Sequence, residues 1–586
     1  MNSRREPPPC RRRLGFGARV LCLVLFGSAC SPEPPSSAPS APLATPEFAP
    51  FHEAQPGLGL DFEHANGATG KYYFCEIVGA GCALVDFDND GDLDVFCVQG
   101  GPLEEVTSPD AVAPSHRLYE NRRVDDGTLR FVDVTVRSGD LGHGYGMGVA
   151  AADYDNDGHV DLYVTRFGPN QLLRNNGNGT FTEVAQHAGV DVSRWSTSAS
   201  FFDYDRDGHL DLFVCNYVDF TLRKNKDCYA ESSARDYCGP LSYDPVPDCL
   251  FRNRGDGTFE NTTVSSRIGQ YFGAALGVIA VDLDRDGWLD LYVANDGTAN
   301  QCWMNERDGT FRDDALLAGC AYDESGRAEA SMGVEAADFD EDGDDDLFMT
   351  HLTGETNTFY RNNGRAHFED TTVAQGLASP SRSFTGFGTG AIDFDRDGWL
   401  DIFAANGAVK AIGSLVRAGD PSPFHQTNQL FHNLGAGRFA DVTRSAGAAF
   451  LRSEVSRGAA FGDLDNDGDT DIVVTNNDGP VRLLLGNAPN DRHWIGIRLV
   501  DPKMPVSPLG ARVRVTLASG RTLWRWVRAD GSYCSANDPR VLVGLDREPT
   551  VASVMVQWSN GSREQWAWPP VDAYSTFVRG QGEALP

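Results

Sequence analysis

A nine-residue pattern of aspartates, Asp-x-Asp-x-Asp-Gly-x-x-Asp, occurs seven times in this sequence of 586 residues. Oxygen donors at positions 1, 3, 5 and 9, together with the backbone carbonyl of position 7, are typical of a loop that wraps a hard cation. Glycine at position 6 permits the positive φ that the sharp turn requires. Because every donor is an oxygen, the pattern predicts Ca²⁺ rather than zinc or copper, with up to seven ions per chain.

The predicted ligands are the four aspartates of each copy. They are Asp86, Asp88, Asp90 and Asp94; Asp153, Asp155, Asp157 and Asp161; Asp203, Asp205, Asp207 and Asp211; Asp282, Asp284, Asp286 and Asp290; Asp338, Asp340, Asp342 and Asp346; Asp393, Asp395, Asp397 and Asp401; and Asp463, Asp465, Asp467 and Asp471. The alternative is a set of acidic surface turns without metal. It is disfavoured because four like charges in one small loop repel strongly without a counter-ion.

The elements around these loops indicate a repeat architecture. Successive copies begin 50 to 79 residues apart, and the last aspartate of each leads into a short apolar run. A further strand, a Gly-rich turn and another strand follow in most copies. Small residues stand seven and five positions before every first aspartate, which indicates a crowded axis lined by the first strands. We therefore predict a seven-bladed β-propeller rather than a solenoid of stacked hairpins.

The ends of the repeat region indicate how the ring closes and where a second domain begins. The last repeat lacks an outer strand, and residues 59–63 near the N-terminus resemble the outer strand of the other repeats. We expect this segment to complete the seventh blade. Short alternating strands after residue 490 predict a small C-terminal β-sandwich. The fold class is therefore all-β, with a signal peptide at 1–29, a tether at 30–55, the propeller at 56–489 and the second domain at 490–586.

The N-terminus has the features of an export signal. Arg4, Arg5, Arg11, Arg12 and Arg13 form a positive region ahead of a short apolar stretch, and small residues precede Cys30, the predicted lipidation site of a bacterial lipoprotein. The alternative is a plain secretory signal that is cleaved nearby. The following segment is rich in Pro, Ser and Ala, which is typical of a tether. We expect an exported protein at the outer membrane, the cell surface or the periplasm, held to the membrane only through its lipid.

The charge and the cysteines limit the classes of partner and bond. A formal net charge of -33 argues against a nucleic-acid partner, which requires a basic face. Ten cysteines follow Cys30, so disulfides are plausible in an oxidising compartment. The favoured pair is Cys228 with Cys238, inside an irregular insertion between two repeats.

Several motifs place the chain close to a known family. The repeats resemble the FG-GAP/VCBS calcium-loop repeats of integrin-type propellers, and more closely the cartilage acidic protein family, whose bacterial members end in an ASPIC/UnbV domain. The motifs include Gly144-Tyr145-Gly146-Met147-Gly148, Val293-Ala294-Asn295-Asp296, Gly354-Glu355-Thr356-Asn357, Ala405-Asn406-Gly407, Arg457-Gly458-Ala459 and, near the C-terminus, Gly510-Ala511-Arg512-Val513. One departure is Ala408, where the family usually has His. The resemblance implies a calcium-binding propeller.

Two functions from different classes fit this chain. The first is a cell-surface binding or scaffold protein with an unknown protein, glycan or small-molecule ligand. The second is a calcium-assisted cyclase or isomerase acting on a secondary metabolite, which the UnbV resemblance permits; no catalytic residue is assigned. A ligand site is predicted on the face opposite the aspartate loops, with a structural role for the same residues as the alternative. The predicted ligand-binding residues are Glu76, Asn295, Asp296, Glu355, Asn357, Asn406, Gln426 and Arg457.

Overall fold

A computed structural model describes residues 49–55, 57–103, 114–123, 127–230, 233–504, 506 and 508–585. The predicted signal peptide, Cys30 and most of the tether lie outside this part of the chain. The α-helices are short: α1 Ala185–Ala188, α2 Ala315–Ala318, α3 Ala378–Ser381 and α4 Gly413–Ala418. None of the described helices is long and apolar enough to cross a membrane.

The first three aspartate-loop repeats contribute four antiparallel strands each, and a strand from the N-terminus precedes them; the second and third repeats are joined in one eight-stranded sheet, because the start of β10 pairs with the end of β7. The strands are β1 Phe51–Glu53; β2 Cys82–Val85, β3 Asp94–Cys97, β4 Arg117–Asn121 and β5 Phe131–Asp133; β6 Gly146–Ala152, β7 Asp161–Pro169, β8 Gln171–Asn175 and β9 Phe181–Glu183; and β10 Ser193–Phe202, β11 Asp211–Asn216, β12 Cys228–Tyr229, β13 Arg235–Asp236, β14 Cys249–Asn253 and β15 Phe259–Asn261. The short pair β12–β13 belongs to the insertion in the third unit.

The remaining four repeats follow the same plan. Their strands are β16 Ala275–Val281, β17 Asp290–Asn295, β18 Gln301–Asn305 and β19 Phe311–Asp313; β20 Val334–Ala337, β21 Asp346–Met349, β22 Thr358–Asn362 and β23 Phe368–Asp370; β24 Gly386–Ile392, β25 Asp401–Asn406, β26 Gln426–Thr427, β27 Gln429–Asn433 and β28 Phe439–Asp441; and β29 Ser453–Glu454, β30 Ser456–Gly462, β31 Asp471–Asn476 and β32 Arg482–Gly486. In the sixth unit β24, β25, β27 and β28 form the sheet, while β26 pairs with β29 as a separate ribbon.

The first strands of the units form a closed ring. β2, β6, β10, β16, β20, β24 and β30 contact one another in chain order, and β30 contacts β2. The fold is therefore a β-propeller, as the sequence predicts. The large residue at position 2 of each loop is buried between neighbouring units: Phe87, for example, packs with Val149 and Leu162 of the second unit.

The ring closes through an N-terminal strand, but not through the predicted one. β1 pairs antiparallel with β32, with Phe51 opposite Gly486 and Glu53 opposite Leu484. Residues 59–63 form no strand: they contact the seventh unit through an isolated bridge from Glu63 to Pro480 and a hydrogen bond from the Val481 N–H to the Phe62 carbonyl at 2.9 Å. The choice of residues 59–63 was therefore wrong, and the tether boundary at residue 55 falls after a strand of the propeller. The closing strand has only three residues, too few for a period-two pattern to mark it.

The C-terminal domain is a β-sandwich. Its strands are β33 Trp494–Val500, β34 Ala511–Leu517, β35 Thr522–Val527, β36 Val541–Gly544, β37 Val551–Gln557, β38 Arg563–Ala567, β39 Tyr574–Val578 and β40 Glu583–Leu585. One sheet has the order β36-β33-β39 and the other β35-β34-β37-β38-β40. The two sheets enclose one apolar core that includes Ile497, Val513 and Trp558.

Residues 529–537, which connect β35 to β36, enter the axis of the propeller; we call them the axial segment. Ala536 exchanges backbone hydrogen bonds of 2.9 and 3.0 Å with Cys82 and Leu84 of β2. On another side of the ring, Ser532 exchanges two backbone hydrogen bonds with Val334 of β20. The segment therefore fills the axis and joins the second domain to first strands from separate units.

The axial segment also explains the predicted small residues. A Cβ at Gly81 would lie 1.7 Å from the carbonyl oxygen of Cys534, and a Cβ at Gly148 would lie 2.8 Å from the Cα of Cys534. Elsewhere the first strands crowd each other, since a Cβ at Gly333 would lie 2.0 Å from the carbonyl oxygen of Phe387. A larger side chain at these positions would have to displace backbone.

Candidate metal-binding loops

All seven aspartate loops share one backbone conformation. Glycine at position 6 has φ between 86° and 95°, as the sequence predicts. Position 4 also has positive φ, between 54° and 63°, although its residue is never glycine. These position-4 residues are Asn89, Asn156, Arg206, Arg285, Glu341, Arg396 and Asn466. Since this conformation costs about 1–2 kcal/mol for such residues, other interactions in the loop must hold it.

Hydrogen bonds between the aspartates and the loop backbone supply that support. The carboxylate at position 1 accepts the N–H of the position-6 glycine, as in Gly287 to Asp282 at 2.9 Å. The carboxylate at position 5 accepts the N–H of position 7, as in Trp288 to Asp286 at 2.8 Å. These bonds orient the carboxylates toward one another before any ion binds.

The arrangement leaves several carboxylate oxygens of the loops without a hydrogen-bond partner. A bound cation would supply the partner that they lack. Among the described residues, Oδ1 of Asp86, Asp282 and Asp338 at position 1 is buried and accepts no hydrogen bond. Oδ1 of Asp395 and Asp465 at position 3 is likewise buried and accepts no hydrogen bond. Within each of several loops, the candidate ligand atoms lie within 4.8 Å of one another. Buried carboxylate oxygens without a partner are costly, so the residues present fit a bound hard cation.

Electrostatics lead to the same interpretation. Burial, together with the charges of the neighbouring Asp207 and Asp205, raises the pKa of Asp203 to about 7. Burial likewise raises the pKa of Asp282 to about 7, with the same kind of contribution from Asp286 and Asp284. A divalent cation would stabilise the ionised form of each of these carboxylates.

The last aspartate of each loop has a second task. Both oxygens of Asp211 accept backbone N–H groups, one from Tyr204 at 3.1 Å and one from Asn253 at 2.8 Å. The first bond closes the loop, and the second attaches the third strand of the unit. Position 9 is therefore structural as well as a candidate ligand.

Sequence reasoning missed an asparagine that joins neighbouring loops. In the third unit, the side-chain amide of Asn253 donates to the carbonyl of Leu210 in its own loop, at 2.9 Å, and to that of Tyr154 in the preceding loop, at 2.8 Å. The equivalent residues are Asn121, Asn175, Asn305, Asn362 and Asn433, and each bridges two loops in the same way. The signal was visible as the recurring Asn at the end of the third strand. The seventh unit has Gly486 at this position and lacks the bridge.

We expect Asn362→Ala to lower the free energy of unfolding by about 2 kcal/mol, because it removes two bridging bonds and leaves buried carbonyls without donors. Both carbonyls, those of Leu283 and Asp345, accept bonds of 2.9 and 3.1 Å from this amide. The neighbouring Asn363 is exposed, so Asn363→Ala is the matched control and should change stability little. Denaturant unfolding measures both. Equal stabilities for the two variants would show that the bridge contributes nothing.

An arginine of the second domain and a histidine approach the sixth loop. The Arg492 guanidinium from the second domain lies 2.9 Å from Asp395, and His432 lies 3.4 Å from the same carboxylate. Side-chain hydrogen bonding from His432 and the charge of Arg492 oppose burial and lower the pKa of Asp395. Asp395, Asp397 and His432 also form a group whose ligand atoms lie close enough for one metal ion.

The second domain docks on the face of the propeller that carries the loops. The Arg540 guanidinium donates to the Asp463 carbonyl at 2.8 Å, and the Tyr574 hydroxyl donates to the Asp463 carboxylate at 2.8 Å. Arg525 donates to the Gly398 carbonyl at 2.8 Å. The basic second domain thus meets the acidic propeller, and its arginines bond mainly to loop backbone and neighbouring carboxylates.

On the opposite face, the predicted ligand residues are largely engaged within the protein. Arg457 is fully buried, lies over the Phe387 ring at 4.1 Å, and donates to the carbonyls of Ile77 and Gly407 at 2.7 and 2.8 Å. Burial lowers its pKa to about 9. This cation therefore binds backbone next to the tip of the axial segment, where Tyr533 packs against Phe387.

Of the acidic members of that group, Glu76 and Asp296 are buried and Glu355 is half-buried. Glu76 accepts a hydrogen bond from the Tyr237 hydroxyl at 2.9 Å, and its other oxygen has no partner among the described residues. Asp296 accepts one from the Tyr217 hydroxyl, and burial raises its pKa to about 7. Glu355 accepts the backbone N–H of Ala330 at 3.0 Å.

The amide members hold the loops that follow or flank the second strands. Asn295 donates to the Ala299 carbonyl at 2.7 Å, and Asn406 donates to the Thr427 carbonyl at 3.0 Å. Asn357 accepts the N–H of His351 at 3.1 Å. Gln426 accepts the N–H of Thr385 at 2.9 Å, across to the preceding connection. These bonds fit the structural alternative, while Oδ1 of Asn295 and Asn406 and Nδ2 of Asn357 are buried without a partner among the described residues.

The insertion in the third unit contains the disulfide that the sequence analysis favoured. Cys228 and Cys238 are bonded, with their Cα atoms 5.2 Å apart. The other cysteines of the described chain are buried free thiols, among them Cys82, Cys97 and Cys215.

Comparison with solved structures finds other chains of low sequence identity. A BP39L lectin from Burkholderia pseudomallei is 11% identical, with a TM-score of 0.41 over 70% of this chain and 98% of that chain. YCF48 bound to D1 peptide is 10% identical, with a TM-score of 0.38 over 76% of this chain and 100% of that chain.

Comparison with known families and sequences identifies the class. The FG-GAP-like repeat family matches residues 86–164, 153–214, 241–293, 282–349, 338–404 and 415–474, and ASPIC and UnbV matches residues 503–584. The chain therefore belongs to the FG-GAP-like repeat proteins, with a C-terminal ASPIC and UnbV domain. Among named proteins, it is similar to cartilage acidic protein 1 of Xenopus tropicalis, at 25% identity over 82% of this chain and 70% of that protein. The human protein is 24% identical over 82% of this chain and 69% of its own length.

Proposed function

We propose that this protein is an exported, calcium-stabilised propeller that acts as a binding or scaffold protein. The observation that carries the calcium assignment is the set of buried loop oxygens without partners, represented by Oδ1 of Asp86, Asp282 and Asp338. A calcium ion bound there would neutralise the converging carboxylates and fix the turn between the first two strands of a unit. The binding role is supported by the family and by the rigid, closed ring.

Calcium content tests this proposal directly. Asp203→Asn changes position 1 of the third loop, whose carboxylate is buried, and should reduce bound calcium by one ion per chain. Asp256→Asn is the matched control: it removes an acid from the same unit, in an exposed hairpin turn where Asp256 bonds Thr258. Mass spectrometry of metal after dialysis measures both. The proposal fails if the wild type retains no calcium, or if both variants retain the wild-type amount.

Export and anchoring are proposed from the sequence of the N-terminus. The arginine-rich start, the apolar stretch and Cys30 support lipidation of that cysteine. Growth with a labelled fatty acid should give a labelled protein in the membrane fraction, and Cys30→Ser should be unlabelled. Cys22→Ser, which lies within the apolar stretch, is the control and should keep the label. Wild-type protein that is exported without label would support the plain secretory signal instead.

A further inference from the structure

A cavity of about 300 Å³ lies between the propeller and the second domain, at the first two repeats. Its walls are largely apolar and include Leu84 and Leu93 of the first unit, Ala151 of the second and Leu509 of the second domain. Thr576 at its edge is exposed, so the cavity is reached from solvent. Its volume is at the lower end of the range for small-molecule sites, and such sites occur preferentially between domains.

One cation in the cavity is left without a partner. Arg498 of β33 lines the cavity and is half-buried, and within the described chain its side chain makes no hydrogen bond, ion pair or ring contact. By contrast, Arg492, Arg512 and Arg579 of the same domain each lie within 3.1 Å of a carboxylate. Because removing a charge from water is costly without a partner, a partly buried guanidinium in an apolar cavity favours an anionic ligand.

The other charged groups of the cavity are already engaged. Asp538 and Arg540 pair with each other at 2.8 Å. Asp86 and Asp153 are position-1 aspartates of the first two loops, where both bond loop N–H groups, and the unpartnered Oδ1 of Asp86 is the one assigned above to the cation of its loop. Arg498 is near enough to act on the charge of Asp86, but forms no ion pair with it. The group that remains for a ligand is therefore the Arg498 guanidinium.

We propose that this cavity binds a small apolar molecule with a single anionic group, such as an aromatic or aliphatic carboxylate. The apolar part would occupy the walls formed by Leu84, Ala151 and Leu509, and the anion would pair with Arg498. A guanidinium is well suited to this, since it presents parallel N–H donors that match a carboxylate. This inference rests on the proposed binding role, and it adds the class of ligand and the place where it binds.

The probe for this site is 8-anilinonaphthalene-1-sulfonate, an aromatic anion that fluoresces in apolar surroundings. In buffer with calcium, the folded wild type should bind it saturably, with one molecule per chain by calorimetry. Arg498→Gln should weaken binding at least tenfold, and Leu509→Trp, which fills the cavity, should abolish it. Arg547→Gln is the matched control, because Arg547 lies on the same domain but is largely exposed and paired with Asp491.

Each variant is first compared with the wild type by melting curve and calcium content. If Leu509→Trp does not fold, Arg498→Gln decides the question, because its side chain is half-buried and unpaired. Equal affinities for the wild type and Arg498→Gln, or unsaturable binding to both, would overturn the proposal. A protein with full calcium content that does not bind the probe would refute the cavity site alone and leave the calcium-stabilised propeller standing.

Discussion

Chelation of calcium is expected to lower the melting temperature of this protein by about 9 °C, reversibly. A ligand that binds only the folded state stabilises it by RT ln(1 + [L]/Kd), which is about 1.4 kcal/mol per site at free calcium tenfold above Kd. Seven loops then contribute about 10 kcal/mol. With an unfolding entropy of about 2.1 cal/mol/K per residue, that free energy corresponds to about 9 °C for the folded part of the chain.

Differential scanning calorimetry with EGTA, and again after calcium is restored in excess, measures this effect. Magnesium at the same concentration is the control ion, because it is smaller, demands near-ideal octahedral geometry and loses its water reluctantly. Recovery with calcium but not with magnesium is the expected outcome. Melting curves that coincide in all conditions would show that the loops are held by their hydrogen bonds alone.

Local patterns in the sequence predicted the parts of the fold that repeat. The aspartate spacing marked each turn, and the apolar run after position 9 marked each second strand. The small residues before the loops indicated a crowded axis, and Gly81 and Gly148 do lie against backbone there. Such features depend only on residues close together in the chain. Because they recur in every unit, each copy independently supports the same prediction.

Features that depend on distant residues could not be predicted in the same way. The closing strand β1 is recognisable only through its partner β32, far along the chain. The axial segment contains Gly531 and Ser532 and resembles an ordinary loop, yet it bonds β2 and β20. Its position depends on how the second domain docks, which no local pattern encodes.

The face of the propeller opposite the aspartate loops shows a different limit of prediction from sequence. Polar residues at strand ends are compatible with a ligand site and with loop support, and the sequence left both open. Arg457 is the sharpest case, because its guanidinium is fully buried against carbonyl oxygens rather than exposed in a channel mouth. Sequence shows which side chains are polar, but the backbone atoms that they bond are visible only in the fold.

Tyr533→Ala is expected to lower the free energy of unfolding of the whole protein by about 4 kcal/mol, since it removes a fully buried aromatic side chain. Tyr533 stands at the tip of the axial segment, where its ring lies 5.0 Å from that of Phe387 and its hydroxyl donates to the Val78 carbonyl at 2.8 Å. Both partners belong to the propeller, although Tyr533 belongs to the second domain. The substitution should therefore destabilise both domains together.

Two matched variants separate the contributions of this residue. Tyr533→Phe keeps the ring and loses only the hydroxyl bond, so it should cost about 1 kcal/mol. Trp568→Ala removes an aromatic residue of the same domain that is 81% exposed, and it should change stability little. Calorimetry, with limited proteolysis to follow each domain, is the measurement. One shared transition that moves down in Tyr533→Ala is expected, because the axial segment bonds first strands on separate sides of the ring. If Tyr533→Ala instead gives two transitions and that of the propeller stays at its wild-type temperature, the axial segment does not couple the domains.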